Sequence, residues 1–203
     1  MSGCDDCTPK NLTHASPAYK KTLWIVVLLN VGMGLIEMAG GITASSQSLK
    51  ADALDFLGDG IITFIGLLSI GWSMKARSRT ALAQGYFLAL LGICVLFNAL
   101  YRFYFQQLPE ADIMGAIGFI ALGVNVTAAL VMRAYREGDA STRAIWLFSR
   151  NDALNNIAVI FAAGLVALTN SAWPDLIVAV IVAVVFLHSA YEIIRNAKDE
   201  LKA

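Results

Sequence analysis

Three acidic side chains fall within one apolar stretch of the chain. In "KADALDFLGDGIITFIGLL", Asp52, Asp55 and Asp59 are spaced i, i+3 and i+7. A helix stacks all three carboxylates along one face. A second stretch, "WLFSRNDALNNIAVIF", carries Arg150, Asn151, Asp152, Asn155 and Asn156, with Asp152 and Asn156 four residues apart and again on one face. An ionisable group at bilayer depth costs several kcal/mol, so each is a functional-site hypothesis by default. Neither face tolerates lipid, and both must look inward. Asp and Asn supply the oxygen ligands that a divalent metal takes. Those ligands bind metal only when deprotonated, so metal and protons compete for them. That competition is a physical route to exchange. The alternative is that these residues only pair with Arg150 or hydrogen-bond between helices.

Asp55, Asp59, Asp152 and Asn156 are therefore the candidate metal ligands. Asp52 lies near the end of its stretch and is expected to be solvated or to cap a helix, with a supporting or pathway role as the other reading. Asn151, together with Glu37 in the first apolar run and Asn125 in the fourth, reads as a supporting or pathway residue. Single polar residues of that kind also serve helix packing. His188 in the last run reads as an interhelical hydrogen-bonder, and Asp175 after Pro174 as a helix-start residue. Gly32, Gly34, Gly40 and Gly41 read as places of close helix contact. At the N-terminus, "CDDCTPKNLTH" offers Cys4, Cys7 and His14 as a tail metal contact, with a free tail as the competing reading.

The elements that must position these groups are apolar helices. Of 203 residues, 58% are hydrophobic and only 15% charged, against about 25% charged in a typical soluble domain. So apolar a chain cannot cover a water-facing surface. A balance of 15 Lys+Arg against 15 Asp+Glu argues against a nucleic-acid partner, and 3 Cys against a disulfide scaffold. With roughly 20 apolar residues needed per span, six stretches emerge: Thr22–Ala44, Ala51–Trp72, Ala81–Phe103, Asp112–Ala134, Ala144–Leu168 and Ser171–Ile194. The expected fold is an all-α membrane protein, a six-transmembrane-helix bundle over residues 22–194. A cytoplasmic tail over 1–21 precedes it and a short one over 195–203 follows.

Lys and Arg set the orientation. Lys10, Lys20, Lys21, Lys75, Arg77, Arg79, Arg133, Arg136, Arg143, Arg195, Lys198 and Lys202 fall on one side. Lys50 and Arg102 fall on the other. The positive-inside bias places both termini in the cytoplasm, and Trp24, Trp72, Trp146 and Trp173 sit near span ends as an aromatic belt requires. Depth arithmetic at 1.5 Å per residue brings Asp59 and Asp152 to within roughly 6 Å in height. A cluster near mid-membrane is permitted.

With these residues in view, the chain resembles the cation diffusion facilitator (cation efflux) family over roughly residues 20–197. The likeness rests on "SQSLKADALDFLGDG", "SRNDALNNIAVI" and "WPDLIVAVIVA". The first matches the family's S-x-S-L-x-A-D-A-x-[HD]-x-x-x-D. The resemblance implies that Asp55 and Asp59 fill the two ligand positions of the second helix and Asp152 one of the fifth. It also places Glu37 and Asn125 where the family tends to have polar residues. It implies export of a divalent transition metal (zinc or a similar ion, as substrate rather than cofactor) from the cytoplasm across the inner membrane. Exchange with protons and a homodimer belong to the same implication.

Two departures qualify it. Phe148 stands where the family usually has His or Asp, so a four-ligand site needs Asn156, Asn151 or water, and manganese, iron, cobalt and cadmium stay open beside zinc. The chain is also expected to lack the cytoplasmic metal-binding domain of many relatives, which leaves dimerisation to the membrane helices. Phe148 motivates a second reading, a transporter of the same build moving another cation or small cationic solute. An intramembrane enzyme is the remote third: the spans hold no HExxH or GxSxG and His188 as their only histidine. The chain reads as a secondary transporter.

Overall fold

The computed structural model describes residues 16–105, 108–133 and 140–202, apart from the side chains of Met74, Phe103, Phe105 and residues 140–151. Cys4, Cys7 and His14 lie outside the described residues, as do the side chains of Trp146, Phe148, Arg150 and Asn151. Six helices follow in order: α1 (Pro17–Thr43), α2 (Gln47–Leu68), α3 (Met74–Phe105), α4 (Ala111–Met132), α5 (Ala140–Thr169) and α6 (Trp173–Lys202). There is no strand among the described residues.

Five of them, α1, α3, α4, α5 and α6, are long and apolar enough to cross a membrane. The exception is α2, whose 22 residues include Lys50, Asp52, Asp55 and Asp59. A helix that polar depends on its neighbours, and α2 packs against α1, α3, α5 and α6. The broadest helix contacts are α1 with α2, α3 with α6, and α4 with α5.

Polarity is inverted relative to a water-soluble fold. Leu28, Leu35, Phe97, Tyr104, Phe161 and Leu168 face outward, whereas Asn30, Glu37, Asp52, Asn125, Asn156 and Asp175 are buried. In water, such an apolar exterior would aggregate; in hydrocarbon it is the favoured surface. Trp24, Trp72 and Trp173 are each about half exposed near helix ends, which suits an interfacial belt.

Local chemistry explains the turns. Ser16 caps α1 by accepting from Tyr19 N–H, and Pro17 takes the first helical position, where its missing N–H costs nothing. Between α1 and α2 only Ala44–Ser46 intervene, with Ser45 at φ 55° making the sharp reversal. α1 and α2 then run side by side because their glycines permit it: a Cβ on Gly34 would meet Ala53 O at 3.1 Å, and one on Gly41 would meet Lys50 N at 3.0 Å. Gly32 has open space around it, so the close contact expected there is absent.

α3 and α6 run well past the spans read from hydropathy, to 32 and 30 residues. Their extra turns pack against each other: Ser78 donates to Glu200 at 2.6 Å, and Lys198 lies 5.5 Å from the Tyr86 ring centre. Apolar clusters close the interior at both ends of α2. Leu49 packs with Ala44, Met114 and Val159 at its start, and Leu67 with Leu23, Val26 and Met132 at its finish. The acidic residues of α2 lie between these two clusters.

Candidate metal centre

α2 starts at Gln47, four residues before the expected boundary. Asp55 and Asp59 are therefore about 12 and 18 Å along a helix of roughly 32 Å. Both are half-buried and turned toward α5. The Asp152 carboxyl lies within hydrogen-bonding reach of both Asp55 and Asp59. Asn155 Nδ2 donates to Asp55 Oδ2 at 3.4 Å. Three carboxyls from two helices thus meet at mid-helix, as the two spacings anticipate. They meet in pairs through Asp152; among the described residues, no group of three or more His, Cys, Asp or Glu is arranged to hold a metal ion as it stands.

Asn156 turns its amide nitrogen elsewhere. Its Nδ2 donates to Asp52 Oδ2 at 3.0 Å and to the Asp152 backbone carbonyl at 2.8 Å, while its Oδ1 has no partner. Asp52 is accordingly neither solvated nor a cap, contrary to expectation: it is fully buried under α5. The earlier start of α2 moves it more than a turn into the helix, and Asn156 covers it. Glu37 of α1, also fully buried, faces the Asp52 carboxyl at hydrogen-bonding distance. Neither Glu37 oxygen finds a donor, and Asp52 Oδ1 has none either. Asn125 of α4 is buried with both its side-chain polar atoms unpartnered. Buried polar atoms left without partners cost about 1–3 kcal/mol each. Glu37, Asp52, Asn125 and Asn156 carry six such atoms.

His188 does not bridge helices. Its side chain is 71% exposed and stands 3.9 Å from Glu192, one turn along the same helix. Two sets of residues escaped the sequence reading. Asn155, rather than Asn156, is the amide that reaches Asp55; the two are adjacent, and only the helix rotation separates them. Asp175 does start α6, but its carboxylate serves α2: it accepts from Ser46 Oγ, Ser48 Oγ, Gln47 N–H and Ser48 N–H.

With that geometry in hand, comparison with known proteins is informative. The cation efflux transmembrane domain matches residues 23–201. The chain belongs to the cation efflux family, and with five apolar helices it is a multi-pass membrane protein. It is 28% identical over 203 residues to the "Cadmium, cobalt and zinc/H(+)-K(+) antiporter" of Bacillus velezensis, covering 92% of this chain and 64% of that one. It is 25% identical to "Zinc transporter ZitB" of Escherichia coli (85% and 59% covered). Over 136 residues it is 27% identical to "Mitochondrial metal transporter 2" of Saccharomyces cerevisiae (61% and 27%). The chain spans just under two thirds of the length of the first two relatives.

Proposed function

We infer that the protein exports a divalent transition-metal cation from the cytoplasm in exchange for protons. The observation that carries this reading is the meeting of Asp55, Asp59 and Asp152 between α2 and α5. In this reading the three carboxylates bind the cation, and Asn156 Oδ1, unpartnered and buried, completes the oxygen set. Glu37, Asp52, Asn125 and Asn151 support that site or line its pathway. Metal entry displaces protons from the carboxylates and their return displaces metal, which is the exchange. The substrates in the relatives' names, zinc in both and cadmium and cobalt in one, which also names H+ and K+ as counter-ions, agree with this chemistry.

All six helices span the inner membrane, α2 shielded by its neighbours, with both termini cytoplasmic on the Lys and Arg distribution. Two copies associate through exposed membrane-helix faces as a homodimer. A second reading, preference for a harder cation such as manganese or iron over zinc, is favoured by a donor set made of oxygens alone.

The test is zinc, cadmium, cobalt, manganese and iron transport in proteoliposomes at two internal pH values, with Asp59→Asn and Asp152→Asn beside the unmodified protein. Transport that both variants lose supports the site. Metal transport unchanged in both would reject it.

A further inference from the structure

Among the described residues, one fully hydrogen-bonded carboxylate touches no candidate ligand. Asp175, 1% exposed, receives four hydrogen bonds from the start of α2: Ser46 Oγ at 2.6 Å, Ser48 Oγ at 2.6 Å, Gln47 N–H at 2.7 Å and Ser48 N–H at 3.0 Å. With Ser46 Oγ also accepting from Leu49 N–H at 3.2 Å, the first turn of α2 has its orphan donors met. The carboxylate also sits where the α2 dipole is positive. Two further ties hold the same end. Asn98 of α3 donates to Gln47 Oε1 at 2.6 Å, and Glu110 N–H, at the start of α4, donates to Ala44 O at 2.9 Å.

Among the described residues, the far end of α2 packs against Leu23, Val26 and Met132 and makes its backbone hydrogen bonds locally. Ser69 N–H donates to Ile65 O at 2.8 Å and Trp72 N–H to Ser69 O at 3.0 Å. Apart from the Asn155 and Asn156 contacts to Asp55 and Asp52, the side-chain hydrogen bonds described from other helices to α2 thus gather at its start, and Asp175 of α6 makes four of them. An α-helix transmits the position of its start rigidly. Sliding α2 by one residue moves its side chains about 1.5 Å and turns them about 100°, while metal–oxygen bonds tolerate only roughly 0.2 Å.

We propose that Asp175 is a positioning residue for metal binding: its grip on Ser46, Gln47 and Ser48 fixes where Asp55 and Asp59 stand opposite Asp152. This rests on the reading of those three as the metal site. Asp175→Asn keeps one acceptor and presents an amide to donors, so it loosens the grip without removing volume. Ser48→Ala removes a single hydroxyl donor.

The experiment is equilibrium binding of Zn2+ to the full chain in detergent, reading affinity and sites per chain separately, with helicity checked by circular dichroism. Asp59→Asn serves as the reference. The expected result is affinity about tenfold weaker in Asp175→Asn and about threefold weaker in Ser48→Ala, at unchanged sites per chain, with binding lost in Asp59→Asn. A merely structural role would lower the number of sites at unchanged affinity, and that outcome overturns the proposal. Unchanged affinity in both variants, with Asp59→Asn still inactive, overturns it while leaving the metal site standing. Full binding by Asp59→Asn rejects the metal site, and the positioning role falls with it. Should Asp175→Asn fail to fold, Ser48→Ala decides by the same criterion.

Discussion

The start of α2 and its middle are both polar, both buried, and built on opposite terms. At the start, each oxygen of Asp175 is met by donors and the serines around it are shared, although Gln47 Nε2 stays unpartnered. At the middle, Glu37 has no donor, Asp52 and Asn156 each leave an oxygen unpartnered, and carboxyls face carboxyls. A satisfied buried network rigidifies; an unsatisfied one is costly unless a ligand completes it. One region is closed largely by its own partners; the other keeps unpartnered oxygens.

The strongest way to break that contrast is at the middle. Asp152→Asn or Asp59→Asn should weaken Zn2+ affinity on the order of 1,000-fold, about 4 kcal/mol. That is the share of one ligand when roughly 10–16 kcal/mol of metal binding is spread over four. Calorimetric titration measures it, and a change below about tenfold would remove these residues from the ligand set.

Next comes a paired stability measurement. Asp175→Ala strips four donors of their acceptor and should cost about 3 kcal/mol, a fall in melting temperature of roughly 6–12 °C. Glu37→Gln, of nearly the same shape, supplies the Asp52 carboxylate with the donor it lacks and should leave the melting temperature unchanged or higher. If the glutamine variant melts as low as the alanine one, the middle is structural too.

Much of this arrangement is legible in the sequence because hydropathy and helical spacing are local properties. Six runs give six helices, and the i, i+4 spacing of Asp55 and Asp59 with the depth of Asp152 anticipates their meeting. The polar ends of α3 and α6 escape a hydropathy ruler because they stay helical by pairing with each other through Ser78 and Glu200. The burial of Asp52, against the solvated or capping reading, escapes the sequence because its partner Asn156 is more than 100 residues away. Asp175 carries an ordinary helix-start signal, and nothing near it in the chain reveals that its partners lie 127–129 residues earlier. Local chemistry is written locally; its partners are not.

A smaller effect concerns protons. If carboxylates hold the cation, affinity falls as pH is lowered, because each must lose a proton to bind. Where one proton is displaced per ion, affinity drops about tenfold per pH unit, or about 1.4 kcal/mol. Titrations at stepped pH give the slope. Asp175→Asn should retain it, whatever its absolute affinity, since Asp175 touches no candidate ligand. A flattened slope in that variant would blur the line between the two regions.

The finest test probes the packing that surrounds the laced end. On α1, Gly41 faces the first turn of α2, where a Cβ would sit 3.0 Å from Lys50 N and 3.2 Å from Leu49 Cβ, whereas Gly32 faces open space. Ala in place of a helical Gly gains up to about 1 kcal/mol from backbone entropy. Gly32→Ala should realise that gain. Gly41→Ala should forfeit it, because the Cβ would meet Lys50 Cγ at 2.8 Å and, behind it, the Lys50 N of an α2 first turn that is hydrogen-bonded to Asp175. The two variants should thus differ by about 1 kcal/mol in a denaturant titration, Gly32→Ala being the more stable. In an Asp175→Asn background the same pair should converge, since a loosened α2 can move aside. Convergence would show that the methyl clash and the hydrogen-bonded cap act on one rigid element, and a difference that persists undiminished would show that α2 is held at its start by packing alone.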